Sequence, residues 1–154
     1  MIAVLQRVTR AAVTADGLPS GSCGRGFLIL LGVLAGDGEE DARLLADKIA
    51  KLRVFSDENG KMNLSLGDVG GEALVISNFT LGANYSHGNR PDFFASAHPS
   101  VAEPLYDLFV ARLRASVGHV GTGVFGADMQ IETVADGPVT IVMDSIKLRK
   151  GKTV

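Results

Sequence analysis

Ser77, Asn78 and Thr80 close the segment "EALVISNFTL", where a short apolar run gives way to hydroxyl and amide side chains. Such a run suits a buried strand that delivers those polar groups to its end, and serine or threonine hydroxyls are the oxygen nucleophiles of covalent ester chemistry when a base stands beside them. A Ser-His-Asp set can be drawn from Ser77, His87 and Asp92 or Asp136. Ser77 does not sit in a G-x-S-x-G elbow, however, and no spacing singles out a base. A second polar segment, "ADGPVT" (135–140), holds the pair Gly137 and Pro138 between two strand-like runs, the usual punctuation of a hairpin turn.

Other chemistries find less support. Cys23 is the single cysteine, and His87, His98 and His119 are scattered, so no metal-ligand spacing is present and no metal site is expected. "GHVGTGVFG" lacks the dinucleotide spacing and follows a helix rather than a strand, and no phosphate-loop pattern occurs. The acidic residues fall mostly on helix faces and in turns, where solvation accounts for them.

The elements that position these residues are read from periodicity. "MIAVLQRVTRAAVTADG" and the run after "ADGLPSG" predict a β-hairpin within a β-rich stretch covering residues 1–34. After Asp37, acidic residues crowd the start of a segment in which Ala42, Leu45, Ile49 and Leu52 recur at helical spacing. Short extended pieces follow around Met62 to Leu66. "GANYSHGNRPDFFASAHPS" has no period and reads as a long loop of the kind that often carries function. Ser100 is placed to cap a second helix with Val101, Leu105, Leu108, Phe109 and Leu113 on its apolar face, and Pro104 in its first turn. Two more strands are expected on either side of Gly137–Pro138. The order predicts an α+β domain with a large, mostly antiparallel sheet system and two main helices.

The chain has 154 residues, 46% hydrophobic and 21% charged, which fits one globular domain with a sizeable core. Its longest apolar run, "FLILLGVLAG", is about half of what a membrane-spanning helix needs. No leader-like segment precedes the first strand, so a cytoplasmic protein without membrane contact is expected. A formal net charge of −2 exerts no general pull on nucleic acid, so any RNA contact must be local. The cluster "KLRKGK" is expected to belong to a flexible basic tail, 146–154, beyond a single domain of 1–145.

Five segments in order, "LQRV", "SNFTL", "NRPDF", "FGADM" and "ADGPVT", resemble those of the D-aminoacyl-tRNA deacylases, and the likeness runs from Met1 to about Ser145. The resemblance implies a homodimer with a β-barrel-like fold that hydrolyses the ester joining a D-amino acid to the 3′-terminal adenosine of tRNA, without metal or organic cofactor. It implies that Gly137 and Pro138 form a cis peptide whose loop enters the pocket of the other subunit, where fixed carbonyl oxygens refuse L substrates. Such exclusion leaves the D side chain unread and lets glycine, including glycine mischarged on alanine tRNA, pass as a substrate.

The same resemblance implies a catalytic wall made of Ser77, Asn78, Phe79 and Thr80. Phe79 would pack near the adenosine, and the backbone N–H groups from Ser77 to Thr80 would stabilise an oxyanion. Arg7 would brace the Gly-Pro loop, Met129 would line the pocket, and Val139 and Thr140 would support it. Thr80 as nucleophile is disfavoured, because no base is visible beside it and water assisted by the ribose 2′-OH suffices for an activated ester. Two positions depart from the family pattern: Asn78 stands where glutamine is usual, and Ala135 where asparagine is usual. A family member that has lost catalysis and only holds charged tRNA ends is the alternative reading.

Overall fold

The computed structural model describes residues 1–150. Eight strands and three helices follow in the order β1 (Ile2–Ala15), β2 (Leu18–Cys23), β3 (Gly26–Gly32), α1 (Glu39–Ala50), β4 (Phe55–Ser56), β5 (Met62–Leu64), β6 (Glu72–Ser77), α2 (Pro99–Arg114), β7 (Val120–Thr122), β8 (Met129–Asp144) and α3 (Ser145–Lys150). The main sheet runs β2-β1-β3-β6-β7, with β8 also paired to β1. Its β1 pairings are antiparallel, while β3–β6 and β6–β7 are parallel. Parallel neighbours need crossovers, and α1 and α2 lie in those two connections. The fold is α+β with a nearly closed, barrel-like sheet, as the sequence predicts.

Alternation along the central strands creates two cores. Phe27, Ile29 and Leu31 of β3, with Ala73 and Val75 of β6, join the helix residues Leu45, Ile49, Leu105 and Phe109 in one buried cluster. Leu28, Leu74 and Ile76 point the other way and meet Val8, Val13 and Cys23 inside the curled sheet. Each fully buried Leu, Ile or Phe contributes about 1.5–3 kcal/mol, so strands apolar on both faces hold the molecule together at its centre. The β1–β2 hairpin turns on Asp16 and Gly17, whose φ values of 50° and 80° are those of a two-residue turn matched to the strand twist. The sheet curls until β2 meets β7: the Ser20 hydroxyl donates to the Thr122 carbonyl at 3.1 Å. A Cβ on Gly21 would lie 2.3 Å from the Thr122 carbonyl oxygen, and one on Gly121 would lie 2.4 Å from that of Ser22, so only glycine permits this closure.

Four expectations are corrected. Gly137–Pro138 does not join two strands: β8 is a single strand, and both its halves pair with the long β1. Gln6 faces Thr140 and Val8 faces Ala135, so Asp136 to Val139 bulge out opposite the single residue Arg7. The second helix begins at Pro99 with His98, not Ser100, as its cap. Its apolar face is built on Ala102, Leu105, Tyr106, Phe109, Val110 and Leu113, while Val101 is exposed. Finally, residues 146–150, expected in a tail, belong to α3, where Leu148 packs on the core and Arg149 pairs with the buried Asp41. Residues 151–154 of that expected tail lie outside the described residues.

Candidate active site

The parallel strands β3 and β6 end side by side, and a cavity of about 600 Å³ opens beyond their carboxyl ends. Leu31 and Val33 line it from β3 and the residues after it, and Ser77, Asn78 and Phe79 from the end of β6. Phe93, Ser96 and His98 contribute from the long loop, Ala102 and Tyr106 from α2, and Phe125 and Met129 from the approach to β8. The walls are apolar with a few hydroxyl and amide groups, the composition of a small-molecule pocket in which a few polar groups fix orientation.

The end of β6 is fixed by its own hydrogen bonds. The Asn78 N–H donates to the Leu31 carbonyl at 2.8 Å, which continues the β3–β6 pairing past the strand. The Asn78 side-chain oxygen then accepts from the Thr80 N–H at 3.2 Å and from the Thr80 hydroxyl, capping a single 3-10 turn, Phe79–Gly82. An asparagine amide has the length for such a reach to the N–H two residues on. The Phe79 carbonyl accepts from the Ser96 hydroxyl at 2.6 Å. The Phe79 ring, 61% exposed, meets Phe93 edge-on with centroids 5.1 Å apart. Of the N–H groups of Asn78, Phe79 and Thr80, two are thus taken, and the Phe79 N–H has no acceptor among the described residues.

Two ionisable side chains line the cavity. His98 Nδ1 accepts from the Ser100 N–H at 3.3 Å and lies 2.9 Å from the Ser100 hydroxyl. The Tyr106 hydroxyl donates to the Val75 carbonyl at 2.8 Å, and burial pushes its pKa up to about 12, so it stays a neutral donor committed to the β6 backbone. Neither is singled out by the sequence: His98 is one of three scattered histidines, and Tyr106 is not among the residues that the helical spacing places on the apolar face.

The other predicted site residues stand elsewhere on the chain. Gly137 and Pro138 are exposed in the β8 bulge, joined by a cis peptide, and do not line the cavity; nor do Val139 and Thr140. Gly137 has φ of 151°, and a Cβ there would lie 2.2 Å from the Val139 nitrogen. Arg7 holds this bulge from β1. Its Nε donates to the Asp136 carbonyl at 3.2 Å and lies 3.1 Å from the Asp136 carboxylate, while Nη1 donates to the Val54 carbonyl at 2.6 Å. One guanidinium therefore ties the residue before Gly137 to the residue before β4. Thr80 is exposed and off the cavity wall, and Ala135 is exposed beside Val8. Among the described residues, no group of three or more His, Cys, Asp or Glu could hold a metal ion, and no helix is long and apolar enough to cross a membrane.

The D-Tyr-tRNA(Tyr) deacylase family model matches residues 4–144. The chain belongs to the D-aminoacyl-tRNA deacylase family. A D-aminoacyl-tRNA deacylase of Chloroflexus aurantiacus is 58% identical over 97% of this chain and 93% of its own length. One from Anaeromyxobacter dehalogenans is 55% identical over 96% and 99%. Among solved structures, a "c-Myc DNA Unwinding Element Binding Protein" superposes with a TM-score of 0.87 at 41% identity, covering 94% of this chain and 98% of that one. A "probable eukaryotic D-amino acid tRNA deacylase" shares the fold, with a TM-score of 0.80 at 17% identity over 92% and 97%. As a D-aminoacyl-tRNA deacylase the protein is a hydrolase of aminoacyl-tRNA esters that serves proofreading in translation.

Proposed function

We propose that the cavity takes the 3′-terminal adenosine of a D-aminoacyl-tRNA and that Gly137–Pro138 of a second copy completes the site. The observation that carries this reading is the separation of the two halves. Ser77, Asn78, Phe79 and Met129 line an open cavity, whereas Gly137–Pro138 stands exposed on the β8 bulge and contributes nothing to that cavity within its own chain. Among the described residues β8 pairs with β1 alone and leaves the aliphatic side chains of Ile131, Val134 and Val142 exposed, which a homodimer along this strand would cover.

In the joined site the adenine lies among Phe79, Phe93 and Met129. The ester carbonyl then stands beside the Phe79 N–H, which donates to the oxyanion as water attacks. Thr80 is no nucleophile, because its hydroxyl is already given to Asn78. The ester is activated by the neighbouring ribose 2′-OH, and the protein's part is to hold the reacting groups in place. Carbonyl oxygens of the partner's Gly-Pro segment occupy the space that an L side chain or amino group needs. A D side chain points away from them, and glycine, with no side chain, passes.

Purified protein incubated with D-Tyr-tRNA, L-Tyr-tRNA and Gly-tRNA(Ala) tests this directly. Release of D-tyrosine and glycine with L-Tyr-tRNA left intact is the expected result. Equal loss of the D and L tyrosyl esters would refute the gate, and a monomer by light scattering that still discriminates would refute the second copy's role.

A further inference from the structure

The long loop between β6 and α2 carries two aromatic side chains that nothing in the fold uses. Tyr85 is 80% and Phe94 is 91% exposed, among the largest exposures of any apolar side chain described. They flank a braced excursion rather than a slack one. Asn84 and Asp92 exchange two backbone hydrogen bonds at 2.8 and 2.9 Å, and the Asn84 amide donates to the Asp92 carboxylate at 3.0 Å. The Ser86 N–H and hydroxyl close onto the Asn84 side-chain oxygen, and the Phe94 N–H onto the Asp92 carboxylate. Ordering two bare aromatic rings at a braced loop costs free energy that burial does not repay within this chain.

The surroundings of the loop name its occupant. It joins the cavity wall through Phe93, which meets Phe79 edge-on, and the exposed Phe94 is the next residue along the chain. Between the two aromatics Ser86, His87, Gly88, Asn89, Arg90 and Pro91 are exposed and Asp92 and Phe93 are half-buried, so the exposed stretch is polar apart from the proline ring. Among the described residues Arg90 has no ion-pair or hydrogen-bond partner. Aromatic faces interleaved with a cation and amides are what an unpaired RNA strand binds: bases stack on rings while the cation meets phosphate. A second protein copy would instead seek the exposed aliphatic side chains of β8.

We infer that Tyr85 and Phe94 form a stacking platform for the unpaired nucleotides that precede the terminal adenosine, with Arg90 on their phosphates. This rests on the reading that the adenosine enters the adjoining cavity. The overall charge of −2 makes such a local platform the means by which the protein grips RNA without a broad basic surface.

The test compares D-Tyr-tRNA with 2′(3′)-O-D-tyrosyl-adenosine, which lacks the preceding nucleotides, for the unaltered protein and the double variant Tyr85→Ala/Phe94→Ala. The expected result is a fall in kcat/KM on the tRNA of roughly 10- to 100-fold, the worth of one to two stacked bases, with the adenosine ester cleaved as before. Tyr85→Phe and Phe94→Tyr keep a ring and should keep the tRNA rate. Arg90→Gln should lower the slope of log(kcat/KM) against log[salt] by about 0.7, one single-strand phosphate contact. Equal losses on both substrates, or no loss on either, would overturn the platform. So would a change in oligomeric state on light scattering, which would give these rings to a second copy. Fluorescence anisotropy with an oligonucleotide ending in unpaired CCA separates the two layers. If the unaltered protein cleaves neither ester yet binds the oligonucleotide through Tyr85 and Phe94, the cavity reading fails and the platform stands. If the double variant binds it as tightly as the unaltered protein, the platform fails alone.

Discussion

Replacing Arg7 by lysine should relax chiral discrimination while leaving D-ester hydrolysis nearly unchanged. The guanidinium reaches two carbonyl oxygens at once, Asp136 at 3.2 Å and Val54 at 2.6 Å, and is only 11% exposed. An ammonium keeps the charge but not the fork, so one of the two carbonyls loses its partner. Leaving a largely buried acceptor unpaired costs about 1–3 kcal/mol, and the Asp136 carboxylate, 41% exposed, adds at most about 1 kcal/mol as an ion pair. Arg7→Lys should therefore lower unfolding free energy by about 1–3 kcal/mol in urea titrations, and Arg7→Ala by somewhat more. If Arg7 fixes the segment that excludes L substrates, the ratio of L- to D-Tyr-tRNA hydrolysis should rise at least about tenfold in Arg7→Lys, equivalent to about 1.4 kcal/mol of lost exclusion. The rate on D-Tyr-tRNA should change by less than about threefold. The assay is release of labelled tyrosine from each ester under single-turnover conditions. A stability loss of the expected size with an unchanged L-to-D ratio would refute the reasoning and make Arg7 a purely structural residue.

Two further predictions follow from the hydrogen bonds described. Thr80→Ala should keep the rate on D-Tyr-tRNA within about threefold, whereas Asn78→Ala should lower it at least about tenfold by releasing the 3-10 turn that orients the Phe79 N–H; a cap of this kind is worth about 0.5–2 kcal/mol. The reverse order of effects in single-turnover rates would make Thr80 the reacting group. Asp41 is fully buried; burial raises its carboxyl pKa, but the Gly38 N–H, Ser145 and Arg149 together hold it below the usual range. A depressed folded pKa means that the unfolded chain binds more protons near and below about pH 4, so this carboxylate stabilises the fold above that pH and the contribution is lost on acidification. Urea midpoints measured from pH 7 to pH 3 should fall across the lower part of that range. Asp41→Asn should be less stable at pH 7 and flatter below pH 5; an unchanged acid slope would remove Asp41 from the account.

Most of the positioning framework could be read from side-chain periodicity. The apolar run ending at Ser77 had to be a buried strand, because both of its faces are apolar, and its polar residues had to emerge at its end. The turn at Asp16–Gly17 and helix α1 were equally plain, since each rests on short-range rules. Misreadings arose where a distant partner overrides a local signal. Gly137–Pro138 punctuates a turn by local rules, yet β1 is long enough to pair with the chain on both sides of it, so the pair becomes a bulge in one strand. Residues 146–150 look like a tail by charge, but Asp41 and the apolar surface beneath Leu148 retain them as a helix. The cavity walls at Phe93, Ser96 and His98 come from a loop without period, and the Asn78 cap that occupies the Thr80 N–H depends on a turn too short to leave a pattern. The separation of Gly137–Pro138 from the cavity within one chain has no local sequence signal either, because it is set by the pairing of β8 with β1.

Mixed dimers test most directly whether the site is shared between two copies. One chain carries Pro138→Ala, which disables its gate but not its cavity; the other carries Phe79→Ala, which disables its cavity but not its gate. Homodimers of the first should cleave both D- and L-Tyr-tRNA, and homodimers of the second should cleave neither. In the purified heterodimer the one intact cavity faces the intact gate of its partner, so the account predicts cleavage of D-Tyr-tRNA with L-Tyr-tRNA spared. Cleavage of both esters by the heterodimer would mean that each cavity is guarded by its own chain, and would contradict it.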